Sequence, residues 1–259
     1  MMGVNDNSTP GKGESDKYRQ YLMKSINLYS VINDLSIKYM PADKIVYIMV
    51  DCNYFIIGLK HLFMDNSITF KFINNIQDVN FSNEQTSYLL LVLNTVNVES
   101  LKKFKNAIDF IIGINTQLKT GILVSEFNSY LTSYFFKKLR GKVTFFNSHN
   151  LTNGVFKKNF LSWLKGRTFR PMRVVYRYRD ESYGYSLKEW ISLVVPLSGE
   201  TVKEISDCLN LNERSIYQIR TKALKKMKLK TYRQFCLMFI DGKIRIENHK
   251  IKHESICYY

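Results

Sequence analysis

The sequence predicts an α/β fold joined to an all-α region: an N-terminal helix, a parallel sheet of five strand–helix units, and four short C-terminal helices. Two observations lead to this prediction. Apolar strands alternate with helical segments from residue 44 to residue 165, which requires crossover connections and a parallel sheet covered on both faces. Helix start signals then recur at short intervals from residue 186 to residue 231.

The elements follow in a regular order. Residues 1–16 are polar and are expected to be flexible, and the spacing of apolar residues in 18–40 predicts an amphipathic helix. Strands are expected at 44–50, 68–73, 88–93, 121–125 and 142–146, with helices at 54–63, 98–117, 127–139 and 151–164 and an irregular stretch at 74–85. The expected division is 1–43 for the flexible start and helix, 44–165 for the sheet domain, 166–184 for the linker, 185–240 for the helical domain and 241–259 for the tail.

Capping boxes mark two of the C-terminal helices. Ser186 with Glu189 and Thr201 with Glu204 have the spacing at which each side chain satisfies a free backbone donor of the first turn. The second of these helices ends near Leu209, and a polar turn at 210–212 precedes a basic helix at 213–227. Apolar residues follow one face of that basic helix, at Ile216, Ile219, Ala223 and Met227. A short helix, a polar turn and a basic second helix fit the DNA-reading helix-turn-helix.

Composition narrows the class of protein. The net charge of +16 indicates a polyanionic partner, and clustering of Lys and Arg around the basic helix favours nucleic acid. Four scattered cysteines suit a reducing compartment, and neither a signal peptide nor a long apolar run is evident, so we expect a cytoplasmic, nucleoid-associated protein without membrane contact. We find no phosphate-binding Gly loop and no paired carboxylates, so we expect no enzyme activity and no cofactor. His249, His253 and Cys257 have helical spacing, but such residues recur by chance in a polar tail, and no metal site is expected.

Residues 185–240 resemble the LuxR/FixJ-type DNA-binding domain of bacterial transcription regulators. Five motifs of the family have counterparts in this chain. Leu-Thr-x-Arg-Glu corresponds to 185–189, the Gly before the second helix to Gly199, Lys-Glu-Ile-Ala to 203–206, Thr-Val to 215–216 and Lys-Leu-Gly-Val to 226–229. The spacing holds over the whole stretch without a gap. Two positions depart from the family: Pro196 lies in the last turn of the first helix, where it should bend the helix end, and Ile219 replaces a frequent His.

The five strand–helix units resemble the receiver domain of two-component response regulators, with a local match at 50–59. Only Asp51 remains of the receiver's acidic pair. The phosphoacceptor position falls at Leu93 or Asn94, the Lys position falls near Phe146 or Asn147, and Ser125 could stand for the hydroxyl residue. Receivers hold Mg²⁺ with clustered carboxylates and accept phosphate on an Asp, and this chain has one of those carboxylates and no such Asp at the expected position. The resemblance therefore implies a phosphorylation-independent pseudo-receiver. This arrangement resembles the atypical LuxR-type regulators of capsule, curli and fimbrial genes, some of which act as auxiliary partners of orthodox response regulators.

The resemblance also implies roles for individual residues. Tyr217, Gln218 and Thr221 would meet base edges, while Lys203, Arg214, Ser215, Lys222 and Lys225 would contact phosphates. The fourth helix is the family's usual dimer element. Its candidates are Tyr232, Phe235, Cys236 and Phe239, unless these residues only close the core of the four helices.

The sequence therefore predicts a sequence-specific transcriptional regulator that binds double-stranded DNA as a homodimer or with a LuxR-type response regulator. RNA polymerase is a further candidate partner. One alternative is a sigma-factor-like promoter-recognition protein, although no second promoter-reading domain is evident. Another is an antagonist that titrates a LuxR-type regulator, against which the basic residues Arg214, Lys222 and Lys225 argue.

Overall fold

The first half of the structure is a five-stranded parallel sheet with helices on both faces, as predicted. The computed structural model describes residues 44–66, 68–79, 87–114, 118–125, 128–172, 183–247 and 250–253. The expected N-terminal helix at 18–40, the second half of the irregular stretch (80–85) and residues 254–259 lie outside these ranges. No helix in the described ranges has the length and apolar character needed to cross a membrane.

The strand order of the sheet is β2-β1-β3-β4-β5, and every neighbouring pair is parallel. The strands are β1 (Lys44–Met49), β2 (Ile68–Ile73), β3 (Tyr88–Leu93), β4 (Lys119–Val124) and β5 (Thr144–Asn147). The helices of this half are α1 (Asn53–Leu62), α2 (Val98–Gly113), α3 (Ser129–Lys138) and α4 (Val155–Leu164). The order reverses between β1 and β3, and a crevice at the carboxyl ends of such strands is the usual ligand position in doubly wound sheets.

The centre of the sheet is fully enclosed. All six residues of β3 are buried, which explains why its sequence, YLLLVL, is apolar throughout. Aromatic rings cover one face: Phe146 lies 5.6 Å from Phe156 and 5.5 Å from Trp163, measured between ring centroids. Gly121 permits this packing, because a Cβ at that position would lie 2.9 Å from the Phe146 ring. This aromatic layer fixes α4 against the sheet.

The C-terminal part of the chain contains the four expected helices. They are α5 (Leu187–Val194), α6 (Val202–Leu209), α7 (Glu213–Lys226) and α8 (Tyr232–Ile240). Both capping boxes are present, with Ser186 and Thr201 as N-caps. Pro196 changes the end of α5 as expected: residues Val195–Ser198 form a 3-10 helix that Gly199 ends at φ 90°.

Several element boundaries differ from those predicted. Helix α2 ends at Gly113, and β4 begins two residues before the glycine at which the apolar run suggested a start. Helix α4 begins at Val155, because Gly154 takes the left-handed conformation after a 3-10 helix at Ser148–Asn150. Tertiary packing sets these ends, whereas the sequence prediction used only local apolar periodicity.

The first part of the tail forms an antiparallel hairpin. Strands β6 (Ile244–Glu247) and β7 (Lys250–His253) pair with Ile246 opposite Ile251. Ile244 and Ile246 are buried in the core cluster and β6 packs against α8, so the hairpin extends the core of the helical half. His249 and Cys257, two of the spaced candidate ligands, lie outside the described residues.

The sheet half (44–172) and the helical half (183–253) pack together in one compact unit, which spans residues 43–259. The rings of Tyr130 on α3 and Tyr183 stack with centroids 3.7 Å apart, and Trp190 on α5 lies edge-on to Tyr130 at 6.1 Å. The Tyr130 hydroxyl donates to the carbonyl of Tyr185 at 3.2 Å. One continuous hydrophobic core therefore includes residues of both halves.

Candidate nucleic-acid interface

Helix α7 is the second helix of the helix-turn-helix, and its start and buried face are well defined. The Asn212 side chain accepts a hydrogen bond from Ser215 N at 2.7 Å and caps the first turn. Ile216, Ala223, Leu224 and Met227 are buried against the neighbouring helices. These contacts hold α7 by one face, so the opposite face can be presented to a partner without rearrangement.

Arg220 lies on the buried face of α7, where Ile219 was expected. Its side chain is only 8% exposed, and its Nε donates to the carbonyl of Ser192 at 2.9 Å. The guanidinium stacks 4.3 Å from the centroid of the Tyr232 ring. Burial lowers the pKa of Arg220 from its ordinary value. Ile219 is half-buried, so Arg220 shares the inward-facing side of α7 with the apolar stripe predicted along 216, 219, 223 and 227.

The opposite face of α7 carries the residues that the sequence singled out. One shallow surface groove is lined by Arg214, Tyr217, Gln218, Thr221, Lys222 and Lys225. All six are exposed, and Tyr217 exposes 53% of its surface although it is aromatic. Lys203 on α6 is also exposed, and Ser215 is half-buried. The structure therefore brings the three expected base-contacting residues together between three basic side chains.

The polar groups of this face have distinct capacities. The Thr221 hydroxyl donates to the Tyr217 carbonyl at 2.9 Å, so the methyl group is the part of Thr221 left to contact a base. Gln218 offers an amide that can form two hydrogen bonds with adenine, and a thymine methyl can pack on a threonine methyl or an aromatic ring. The groove thus combines hydrogen bonding, apolar contact and positive charge on one exposed helix face.

Lys226 does not belong to the exposed basic face. Its Nζ forms an ion pair with Glu189 Oε2 at 2.7 Å and lies 5.2 Å from the centroid of the Tyr185 ring. The Glu189 carboxylate also accepts from the Ser186 backbone in the capping box of α5. Burial pushes the pKa of Glu189 upward, but the hydrogen bonds from Lys226 and Ser186 outweigh it and leave the pKa below its usual value. Lys226 therefore fixes α7 to the start of α5.

The candidate dimer residues on α8 occupy mostly internal positions. Phe235 and Phe239 are buried, and the Tyr232 hydroxyl donates to the Leu193 carbonyl at 2.9 Å. Cys236 is half-buried. These positions correspond to the alternative left open by the sequence, in which the residues close the core of the four helices. The large apolar side chains exposed on α8 are Leu237 at 51% and Ile240 at 67%, which sequence reasoning missed.

The crevice between β1 and β3 is the position where a receiver would hold its phosphorylation site. A cavity of about 430 Å³ there is lined by residues that include Asp51, Asn94, Thr95, Ser100 and Lys103. Lys103 Nζ lies 3.2 Å from Asp51 Oδ1 and also pairs with Glu99 at 3.3 Å. The hydrogen bond that Lys103 donates to Asp51 is the largest influence on the pKa of Lys103 and raises it, which keeps the ammonium charged. Asp51 and Lys103 therefore form an ion pair at the wall of this cavity.

The remaining receiver-like positions carry no further acidic group. Leu93 is buried at the end of β3, and Asn147 caps the 3-10 helix by accepting from His149 N at 3.0 Å. The Ser125 hydroxyl lies 3.1 Å from His149 Nε2. In the described ranges, no group of three or more His, Cys, Asp or Glu side chains could hold a metal ion.

The fold and the exposed face of α7 define a class: a parallel α/β sheet followed by a helix-turn-helix with an accessible basic second helix. No family model matches the chain, and no curated protein matches it either. Solved structures similar to this chain include a complex of the two-component response regulator RcsB with DNA. The sequence identity is 18% and the TM-score 0.39, over 77% of this chain and 98% of that chain.

Two further structures are similar over a comparable share of the chain. A Salmonella typhimurium RcsB structure has 15% identity and a TM-score of 0.37, over 78% of this chain and 98% of that chain. Full-length FixJ from B. japonicum has 11% identity and a TM-score of 0.33, over 77% of this chain and 97% of that chain. Because the identities and TM-scores are this low, we base the functional proposal on the geometry of the chain itself.

Proposed function

We propose that this protein is a sequence-specific DNA-binding transcriptional regulator that inserts α7 into the major groove. The exposed face of α7 is the observation that carries the proposal. Tyr217, Gln218 and Thr221 lie between Arg214, Lys222 and Lys225 on a helix whose other face is held in the core. Base-reading groups flanked by phosphate-binding cations are what direct readout requires. The net charge of +16 adds the long-range attraction that speeds the encounter with DNA.

In this proposal Lys203 and Ser215 complete the phosphate contacts at the amino ends of α6 and α7. Lys203 is exposed in the first turn of α6, and Ser215 lies in the first turn of α7. Backbone N–H groups at helix starts favour anions, so phosphates can be bound there by side chain and backbone together. These contacts would set the register of the protein on the duplex without reading sequence.

The regulator would act without phosphorylation. Asp51 is paired with Lys103, and the cavity beside it is lined by no second carboxylate among the described residues. Phosphoryl transfer to an aspartate needs a nucleophilic carboxylate and a metal ion that neutralises the incoming charge. Leu93 and Asn94 stand at the end of β3, where a receiver carries that nucleophile, so this strand end supplies no carboxylate. The role of the sheet half would be to bind a partner or a second copy of the chain.

Assembly would use the exposed part of α8. Leu237 and Ile240 are apolar side chains open to solvent on the helix that follows the helix-turn-helix. Burying them against a second copy would place two α7 helices about a twofold axis, as palindromic sites require. The same surface would serve a response-regulator partner, with RNA polymerase as a further contact.

Binding-site selection from fragmented genomic DNA tests the proposal. The purified full chain is used alone and then with added LuxR-type response regulators. We expect an inverted repeat to be enriched by the chain alone if it works as a homodimer, and only with a partner if it is auxiliary. The triple variant Tyr217→Ala, Gln218→Ala, Thr221→Ala should abolish enrichment, while Lys102→Ala on the exposed side of α2 should not. Absence of any motif in both arms would favour the antagonist and reject a DNA-reading role.

A further inference from the structure

Arg220 is a buried cation of α7 that is held without a carboxylate. Burial lowers its pKa, and the groups that oppose this effect are Tyr232, Tyr217 and Cys236, none of which carries a carboxylate. Its Nη2 is buried and has no hydrogen-bond partner among the described residues. A buried charge without a counter-ion lowers stability, and an apolar side chain of similar volume often suits such a position better. The guanidinium therefore needs an explanation beyond packing.

One contact of Arg220 follows from Pro196 and is structural. In an α-helix each carbonyl accepts from the N–H group four residues later, and a proline at position 196 has no N–H to offer Ser192. Arg220 Nε supplies the donor instead, at 2.9 Å from the Ser192 oxygen. A glutamine or a lysine could donate to the same carbonyl, so this hydrogen bond does not by itself require a guanidinium.

The guanidinium also lies over two tyrosine rings. Its Cζ is 4.3 Å from the ring centroid of Tyr232 on α8 and 5.7 Å from that of Tyr217 on α7. Tyr232 is fixed in turn, because its hydroxyl donates to the Leu193 carbonyl at 2.9 Å and its ring stacks on Phe235 with centroids 5.7 Å apart. A planar cation held by a hydrogen bond and by a fixed ring is a firm support for a second ring.

Tyr217 is the one of these two tyrosines that reaches the DNA-reading face. It is 53% exposed and lines the surface groove with Gln218 and Thr221. An exposed tyrosine samples several rotamers and loses side-chain entropy when a partner immobilises it. Residues 217 and 220 are neighbours on the helix surface, so the cation can restrict the ring before DNA arrives.

We propose that Arg220 is a positioning residue for base recognition, which holds the Tyr217 ring in the orientation that contacts a thymine methyl group. The inference rests on the proposed DNA-reading function. It adds a residue that touches no DNA itself, because Arg220 is only 8% exposed. A thymine methyl suits the apolar face of the ring, whereas hydrogen bonds to base edges belong to Gln218. Arg220 would therefore set sequence preference from inside the core.

Replacing thymine by deoxyuridine tests the proposal, because the change removes only the methyl group. Each thymine of the operator obtained by binding-site selection is replaced in turn, and fluorescence anisotropy gives the ratio of the affinities for the two duplexes. We expect the wild type to prefer thymine at one position by about threefold to tenfold, and Tyr217→Ala to lose that preference. Arg220→Gln keeps a donor for Ser192 but removes the cation, and most of the preference should disappear although Tyr217 is intact.

Three further variants separate positioning from folding and from charge. Arg170→Gln removes the same charge at an exposed position outside the helix-turn-helix and should keep the wild-type preference. Pro196→Ala combined with Arg220→Gln restores a backbone donor for Ser192, so a loss of preference that persists there does not come from the free carbonyl. Tyr217→Ala combined with Arg220→Gln should have the same preference as Tyr217→Ala alone, because both changes act through one ring. Urea unfolding verifies that each variant is folded under the assay conditions.

A purely structural role for Arg220 predicts a different result. Arg220→Gln would then weaken binding to the thymine and deoxyuridine duplexes equally and leave their ratio unchanged, which overturns the proposal. A Tyr217→Ala variant that still prefers thymine overturns it as well. If the wild-type chain selects no operator, alone or with a partner, the proposed function fails and this inference fails with it. An operator whose thymine preference survives Arg220→Gln overturns the inference alone.

Discussion

Arg214 and Arg220 belong to the same helix but face opposite environments. Arg214 is exposed on the groove-lining face of α7, whereas Arg220 is buried between Tyr232 and the end of α5. Both residues contribute equally to the net charge of +16 from which DNA binding was predicted. Their physical roles differ, because one guanidinium is available to a phosphate and the other satisfies the carbonyl of Ser192 and stacks on a ring.

Alanine substitution should separate these roles. We expect Arg220→Ala to lower the free energy of unfolding by about 1–3 kcal/mol, because it leaves a buried carbonyl unpaired and a void beside Tyr232. Arg214→Ala should leave that free energy nearly unchanged and weaken DNA binding instead. Urea unfolding and DNA-binding titrations on both variants provide the test. Equal destabilisation by the two substitutions would contradict the structure.

Base readout and phosphate contact can also be separated by single residues. Gln218→Ala should cost about 1–3 kcal/mol at one base position and relax specificity there. Lys225→Ala should weaken binding to all sequences and reduce the slope of log affinity against log salt by about one. Fluorescence anisotropy on operator and random duplexes measures both effects. Uniform weakening by Gln218→Ala would remove it from the base-reading set, and an unchanged slope would remove Lys225 from the phosphate set.

The exposed face of α7 could be predicted from sequence, but its buried face only in part. Tyr217, Gln218 and Thr221 were found because family spacing and a helical period of 3.6 agree. Arg220 was missed because an arginine is rarely buried, although positions 216, 220, 223 and 227 also share one helix face. The ring of Tyr232 covers the Arg220 guanidinium and makes its burial possible, but this contact can be recognised only in the tertiary structure.

At the scale of the element, the helix starts are the most predictable features of this chain. Thr201 and Glu204 satisfy each other's backbone donors, with Thr201 N donating to Glu204 Oε2 at 2.7 Å. Such signals act within four residues, so no distant contact can override them easily. Helix ends depended on packing, and the β6–β7 pairing could not be foreseen because β6 is held by its packing against α8, which no local pattern shows.

The capping box of α5 should give the protein a specific acid sensitivity. The pKa of Glu189 is lowered in the folded chain, so its stabilising contribution is present above its unfolded pKa near 4.5 and is lost as pH falls through the folded pKa. Glu189→Gln should therefore reduce stability at pH 7 and flatten the fall in stability below about pH 4.5. Urea unfolding at several pH values measures this. Glu213→Gln removes a carboxylate at an exposed position and serves as control; parallel pH profiles for wild type and Glu189→Gln would reject the assignment.

At the scale of the whole molecule, a partly buried group of charges around the buried Glu200 joins the two halves. Lys138 at the end of α3 pairs with Glu200 before α6 and lies 2.9 Å from Asp109 on α2. Lys105 on α2 lies 3.5 Å from Glu204, the carboxylate that caps α6. The sheet half thus contacts the cap of the first helix of the helix-turn-helix. These partners are far apart in sequence, and no local pattern could have predicted them.

Removing one member of the Lys138–Glu200 pair should lower the free energy of unfolding more than removing both members. Glu200 is 6% exposed, and burial raises its pKa even though Lys138 donates to it. Lys138→Met leaves that carboxylate buried without its cation, and we expect a loss of about 3 kcal/mol in the free energy of unfolding. Lys138→Met combined with Glu200→Met should recover much of the loss, because the desolvation cost disappears with the pair. Calorimetric unfolding of the wild type, the two single variants Lys138→Met and Glu200→Met, and the double variant decides the point; a double variant as unstable as the sum of both single changes would refute it.

The aromatic packing of the two halves also gives the chain built-in optical reporters. Its two tryptophans are divided between the halves: Trp163 lies edge-on to Tyr88 at 5.1 Å in the sheet half, and Trp190 of the helical half lies edge-on to the stacked rings of Tyr130 and Tyr183. Both indoles are buried, so exposure to water shifts their emission to longer wavelengths. Replacing either one by phenylalanine leaves intrinsic fluorescence that reports a single half. The same spectrometer can then distinguish unfolding of the sheet half, seen at Trp163, from separation of the helix-turn-helix, seen at Trp190.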